Sequence, residues 1–138
     1  MVRRRVGALA GAGVVLVAGL LVRAVGEGAW AQHAGTALYA SLIYVGVLVL
    51  RPGASPLPAG IAAVAFCWLV EAFQLTGVPA ALSGRSLIAR LVLGTSFDWA
   101  DIAWYPAGVV PLVAGHLLVR ARTSASGDRG SRTAGLPR

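Results

Sequence analysis

Four long apolar runs, almost free of charged residues, constrain this chain more than any other feature of its sequence. A helix that crosses the hydrocarbon core of a bilayer needs about 20 mainly apolar residues. Each run reaches this length when its flanks are included. We therefore predict an all-α, polytopic integral membrane protein with four transmembrane helices. They cover about residues 6–25, 34–50, 57–75 and 102–119.

The composition supports this fold class. Hydrophobic residues make up 57% of the 138-residue chain, and charged residues only 12%. About a quarter of a soluble domain is charged, so this chain lacks the charge to cover the surface of a soluble globule. Its hydrophobicity also excludes a disordered chain. The single cysteine, Cys67, excludes an internal disulfide and a cysteine metal cluster.

The first run could instead be a cleaved signal peptide. It has a basic start, an apolar stretch and an A-x-A sequence at 29–31. Against cleavage, the apolar stretch of residues 6–22 exceeds the usual 7 to 15 residues. We therefore interpret the first run as a membrane helix.

The distribution of arginine predicts the orientation. All twelve basic residues are Arg, and they form no basic stripe of the kind that binds nucleic acid. With four spans, nine of them fall on the side of both termini and three, Arg23, Arg85 and Arg90, on the other. Cytoplasmic loops carry the excess of Arg, so both termini are predicted to be cytoplasmic. The membrane domain covers 1–122, and the Ser-, Gly- and Arg-rich segment 123–138 is predicted to be a disordered tail.

The segment between the third and fourth spans does not fit a fifth span. It contains Arg85 and Arg90, and each Arg at a helix centre costs about 2.5 to 3.5 kcal/mol on insertion. We predict a short interfacial or re-entrant helix on the outer side, ending near Gly94.

Polar side chains collect at the outer end of the predicted bundle. Glu71 and Gln74 share a face of the third helix at i and i+3. Asp98, Asp101 and Tyr105 share a face of the fourth at i, i+3 and i+7. Such residues are costly in a membrane and often functional. The candidate ligand-binding residues are Glu71, Gln74, Arg85, Arg90, Asp101, Tyr105 and Tyr39.

A purely structural network is the alternative for these residues. Asp98 would cap the fourth helix, and Asp101 and Glu71 would form ion pairs with Arg85 and Arg90. The two scattered histidines have no ligand spacing, so we predict no metal, no cofactor and no assigned catalytic residue.

Glycines and prolines add two expectations about packing. Gly7 and Gly11 form a GxxxG pair, which indicates close packing within the chain or a homo-oligomer. Pro106 and Pro111 are expected to kink the fourth helix and to free carbonyls that the protein must satisfy internally.

The run Cys67-Trp-Leu-Val-Glu-Ala-Phe-Gln-Leu75, followed by Arg85 and Trp99-Ala-Asp101, resembles a known family. It is similar to small bacterial inner-membrane proteins grouped as domain of unknown function 2809, which are themselves similar to VanZ-like proteins. The resemblance gives weight to Glu71, Gln74, Arg85 and Asp101 and implies the bacterial plasma membrane. This chain departs from the pattern at Thr36, where the family has Asp, so one carboxylate is missing.

Four functions remain open at this stage. The first is an envelope protein that binds a lipid headgroup or a cell-wall precursor, with Arg85 and Arg90 contacting phosphate. The second is an oligomeric transporter or channel subunit that uses Glu71. The third is a membrane enzyme with Glu71 and Asp101 as acid and base, although the sequence has no nucleophile elbow, metal motif or phosphate loop. The fourth is a scaffold for other membrane proteins.

Overall fold

The computed structural model of the chain describes the backbone of residues 2–134 and the side chains of 6–22 and 25–124. It is all-helical, with no strand in the described backbone. The six helices are α1 (Val2–Val25), α2 (Gly28–Leu50), α3 (Pro56–Gln74), α4 (Val78–Ser83), α5 (Leu87–Leu93) and α6 (Trp99–Ala134).

Three helices are long and apolar enough to cross a membrane. They are Gly28–Leu50, Pro56–Gln74 and Trp99–Ser124. The apolar part of α1, Val6–Val22, is shorter. The structure therefore confirms an all-α chain of the multi-pass membrane type, with three candidate spans.

Two helices begin earlier than the apolar runs predict. α2 starts at Gly28 instead of residue 34, and α6 starts at Trp99 instead of 102. The added turns contain Gln32, His33 and Asp101. The apolar runs leave out these polar side chains, whereas the backbone hydrogen bonds of the two helices include them.

The helix α6 continues past residue 119, where the fourth apolar run ends, and its backbone is helical to Ala134. The disorder of the segment 123–138 stays a prediction. The hydroxyl of Thr123 donates to the carbonyls of Val119 and Arg120, and that of Ser124 to Arg120, which are bonds that Ser and Thr side chains make to the preceding turn of a helix. Residues 135–138, and the side chains from 125, lie outside the described part.

The connection between α3 and α6 contains two short helices instead of the single one predicted. They are α4 and α5, separated by residues 84–86. The second of these helices has its own N-cap, because the Ser86 hydroxyl accepts the amide of Ala89 at 3.3 Å. The predicted end near Gly94 is confirmed, since Gly94 has a positive φ of 69° and closes α5.

The core lies between α2, α3 and α6 and contains small side chains. Ala40, Ala59 and Ala63 are almost fully buried. Gly108 approaches α2 so closely that a Cβ there would collide with the Ala37 carbonyl. Such small residues let helix backbones approach one another in a membrane, and this packing fixes how α6 faces α2 and α3.

The first helix packs against α2 and against no other helix of the described residues. A Cβ on Gly11 would lie 3.9 Å from Val45 of α2, whereas one on Gly7 would meet nothing within 4 Å. Gly11 thus faces the chain's own second helix, as the packing interpretation of the GxxxG pair expects.

Candidate functional site

Glu71 is the centre of the polar residues at one end of the bundle. Its side chain lies in the last turn of α3 and is 0% exposed. The backbone amide of Asp98 donates to its Oε1 at 2.6 Å, and the Tyr105 hydroxyl donates to its Oε2 at 2.7 Å. Both carboxyl oxygens of Glu71 therefore accept a hydrogen bond. One of these donors is the backbone amide at the N-terminal end of α6, a group that has no acceptor within the helix.

Two aspartates extend this network to α2. The Asp98 Oδ1 accepts the amide of Ala100 at 2.9 Å, so Asp98 caps α6 as the sequence predicts. Its Oδ2 accepts from the Gln32 amide at 3.0 Å. The Thr36 hydroxyl donates to Asp101 Oδ1 at 2.9 Å. Each of the three carboxyl groups at this end is therefore met by neutral donors.

The alternative in which Arg85 and Arg90 neutralise these acids is wrong. Both arginine side chains are exposed, and neither forms an ion pair or hydrogen bond with another side chain in the described ranges. They lie on the α4–α5 segment, and no acidic side chain of the described ranges is paired with them. Their charge is left facing outward.

A second set of hydrogen bonds holds α5 against the bundle. The hydroxyl of Tyr39 donates to the carbonyl of Val92 at 2.9 Å. The Gln74 amide donates to Leu93 at 2.7 Å, and the Ser83 hydroxyl donates to Gly94 at 2.6 Å. The last carbonyls of a helix lack donors within the helix, so three side chains from three other helices complete this end. We call these three bonds the α5 clamp.

In the clamp, the side-chain donors of Tyr39 and Gln74 are engaged by carbonyls of α5, so these donors have a structural role. One acceptor is left over, because the Gln74 Oε1 is buried and has no donor among the described residues. The buried His33 Nδ1 is also without a partner there, and its ring stacks on Trp104 with centroids 5.3 Å apart.

Trp68 is a further contributor to the packing of α3 on α6, and it is not among the residues predicted for the site. Its indole N–H donates to the carbonyl of Ile102 at 3.0 Å. That carbonyl would bond the amide of residue 106 in a regular helix, but residue 106 is proline and has no N–H. A proline four residues after a carbonyl is thus the sequence signal that could have found this bond. The expectation that freed carbonyls are met inside the protein holds here.

The outward surface of the α4–α5 segment combines two arginines with large apolar side chains. Leu87 is 70% exposed, Ile88 74% and Leu91 58%. We call these three side chains, together with Arg85 and Arg90, the α4–α5 surface. It combines free cationic groups with apolar side chains on a short segment that the clamp holds in place.

The opposite end of the bundle carries fewer polar contacts. The Tyr44 hydroxyl and His116 Nδ1 lie 3.0 Å apart, and Arg120 Nη2 donates to the carbonyl of Ala54 at 3.2 Å. We call this the basic end, and the end around Glu71 the acidic end. Across the described ranges, no three His, Cys, Asp or Glu side chains are arranged to hold a metal ion.

The seven predicted site residues therefore fall into three groups. Glu71, Asp101 and Tyr105 belong to the acidic network. Tyr39 and Gln74 belong to the α5 clamp. Arg85 and Arg90 are exposed and unpaired within the described chain. The donors Gln32 and Thr36 join the first group although no ligand role was predicted for them.

The chain matches the family described as protein of unknown function, DUF2809, over residues 25–109. It matches no curated protein and no solved structure. The matched segment contains α2 to α5 and the first part of α6, and so it contains the acidic network and the α5 clamp. Since it covers more than half of the chain, the family predicted from the residues is confirmed, and the chain belongs to DUF2809.

Proposed function

We propose that this member of the DUF2809 family is a membrane protein that binds a phosphate-bearing headgroup at its α4–α5 surface. The headgroup belongs to a lipid or to a lipid-linked cell-wall precursor. The observation that carries the proposal is that Arg85 and Arg90 have no partner among the described residues, whereas the acids nearby already have donors.

The chemistry of the α4–α5 surface fits such a ligand. A guanidinium group presents planar, paired N–H donors that match the oxygens of a phosphate. The exposed Leu87 and Ile88 side chains suit the boundary between headgroups and acyl chains, where an amphipathic helix buries its apolar face by about 5 to 10 Å. The arginines would then lie at the level of lipid phosphates.

The acidic network and the clamp act as supports in this proposal. Glu71 ties the end of α3 to the start of α6, while Tyr39 and Gln74 hold α5. The ligand contacts are therefore assigned to Arg85 and Arg90. Glu71, Asp101, Tyr105, Tyr39 and Gln74 become positioning residues.

The membrane topology is part of the same proposal. The apolar part of α1, Val6–Val22, reaches a spanning length with its flanks, so α1 is proposed as a fourth span beside α2. The arginine count supports an orientation with both termini in the cytoplasm and the α4–α5 surface outside. A bacterial plasma membrane and the similarity to VanZ-like proteins belong to this proposal too.

Burial of Glu71 speaks against the transporter and enzyme hypotheses. A group that cycles protons or acts as acid and base must reach its substrate or water. Glu71 is 0% exposed, and both of its oxygens are occupied. Either activity would require the network to open.

Lipid retention by the purified full chain tests the proposal. Native mass spectrometry compares the wild type with the double variant R85Q/R90Q after incubation with phosphatidylglycerol, and separately with a polyprenyl diphosphate that carries a sugar. We expect the double variant to lose about tenfold in retention of one of the two probes. The probe that the wild type retains and the double variant loses identifies the source of the phosphate.

The matched control is R51Q, because Arg51 is also exposed but lies between α2 and α3 at the basic end. It should retain the probe like the wild type. Equal retention by wild type and R85Q/R90Q for both probes would overturn the proposal, as would an equal loss in R51Q.

A labelling experiment tests the topology. A cysteine at Ser86 in a Cys67→Ala background should react with a membrane-impermeant maleimide in intact cells, because residue 86 is exposed between α4 and α5. A cysteine at Ser55, exposed between α2 and α3, should react only after lysis. The reverse pattern would invert the proposed orientation.

A further inference from the structure

A cleft at the basic end lies between α1 and α6. Its volume is about 430 Å³. It forms because the backbone of α1 packs on α2 and does not come close to that of α6 in the described structure. Val45 and Leu48 of α2 line it, and the wall from α1 is formed by small residues, Gly7, Ala8 and Gly11.

The polar end of this cleft is cationic. Arg120 lines it and is partly buried. One of its nitrogens donates to the Ala54 carbonyl at 3.2 Å, and a guanidinium has five N–H donors. No acid among the described side chains forms an ion pair with it. A partly buried cation without a counter-ion is unfavourable, so an anion at this position would be stabilised.

We propose that this cleft binds one anionic phospholipid, with the phosphate at Arg120 and an acyl chain along Gly7 and Gly11. Two features select this occupant. The cleft has an apolar channel and a single cationic end. It is therefore complementary to an anionic amphiphile, whose headgroup would meet the cation and whose acyl chain would meet the apolar lining. Its volume also falls within the range of about 300 to 1,000 Å³ that is usual for ligand pockets.

The site lies at the opposite end of the bundle from the α4–α5 surface. The inference therefore does not depend on the proposed function, and it is tested in the R85Q/R90Q background, where the arginines of that surface are absent. The comparison of R85Q/R90Q with wild type is likewise repeated in the R120Q background, where the cleft lacks its cation, so each proposal can fail without the other.

The first measurement is retention of phosphatidylglycerol by the full chain in mild detergent, read by native mass spectrometry. Replacing Arg120 with Gln should lower retention about tenfold. R51Q should leave it unchanged, because Arg51 is exposed and does not line the cleft. Phosphatidylcholine should be retained less than phosphatidylglycerol, and inorganic phosphate should not compete.

The second measurement fills the cleft without touching its charge. A side chain at Gly7 or at Gly13 would start in open space, because a Cβ at either position meets nothing within 4 Å. Gly7 lines the cleft and Gly13 does not. We therefore expect Gly7→Leu to lower retention of phosphatidylglycerol at least fivefold and Gly13→Leu to retain it.

Three results would overturn the inference. Full retention by both R120Q and Gly7→Leu would show that the lipid binds elsewhere. Complete competition by inorganic phosphate would make free phosphate the ligand. A dimer that Gly7→Leu dissociates, with lipid retention unchanged, would make a second copy of the chain the occupant.

Discussion

The acidic and basic ends of the bundle satisfy their polar groups in opposite ways. At the acidic end, Glu71 is 0% exposed and receives two donors, and Asp98 and Asp101 receive neutral donors from α2. At the basic end, Arg120 has one donor engaged with a loop carbonyl and borders an open cleft. At the acidic end the carboxyl groups therefore join helices to one another, whereas at the basic end the partly buried guanidinium beside the cleft has N–H donors left for a ligand.

Removal of Glu71 should have the largest effect. Glu71→Ala would leave the amide of Asp98 and the hydroxyl of Tyr105 without an acceptor in a buried site. We expect the free energy of unfolding in detergent to fall by about 3 to 5 kcal/mol. Chemical denaturation followed by tryptophan fluorescence measures this loss.

Glu71→Gln is the matched control for this change. Its oxygen can accept from the Asp98 amide, and its NH₂ group can donate to the Tyr105 oxygen. We expect a loss of about 1 kcal/mol. An alanine variant as stable as the wild type would show that the acidic end is not held by this network.

Two buried tyrosines, one at each end of the bundle, allow the stabilising effect of the two ends to be compared. Tyr105 is 4% exposed and donates to Glu71, and Tyr44 is 2% exposed and bonds His116. Tyr105→Phe removes a donor to a carboxylate, so we expect a loss of about 2 kcal/mol. Tyr44→Phe should cost about 1 kcal/mol. Thermal unfolding measures both variants. Equal losses, or a larger loss for Tyr44→Phe, would contradict the claim that the acidic network stabilises the fold more than the bond at the basic end.

The bond between Trp68 and α6 should contribute a smaller amount. Trp68→Phe leaves the Ile102 carbonyl without a donor, since Pro106 has no N–H. We expect a loss of about 1 kcal/mol in the free energy of unfolding. Trp30→Phe is the control because Trp30 is 67% exposed and has no hydrogen bond to another described residue. A similar loss in both variants would assign the effect to ring size.

The smallest effect is expected at the α4–α5 surface. R85Q/R90Q should change the free energy of unfolding by no more than about 0.5 kcal/mol, since neither side chain has a partner to lose in the described structure. Differential scanning fluorimetry measures this. A loss above about 1.5 kcal/mol would show that these arginines support the fold.

The helices and the gathering of acids were predictable because they depend on local patterns. Apolar runs located α2, α3 and α6, and helical spacing placed Glu71, Asp101 and Tyr105 at one end. The partners of the acids were not predictable in this way. Opposite charge favoured Arg85 and Arg90, but the donors are the Asp98 amide, which no side-chain pattern reveals, and neutral side chains of α2.

The departure at Thr36 illustrates the same limit. The family resemblance implied an Asp at this position, so the sequence suggested only a missing carboxylate. In the structure the hydroxyl of Thr36 donates to Asp101, a bond that an ionised Asp could not make because it only accepts. Thr36 therefore supplies a donor where the family pattern would add a second acceptor.

The α5 clamp has a consequence for how this family could diversify. All three of its bonds end on backbone carbonyls of residues 92–94, and every residue type carries that group. The attachment of α5 therefore does not depend on which side chains α5 presents. Mutations can change the outward residues of this helix, and with them whatever it recognises, while its docking on the bundle is inherited unchanged.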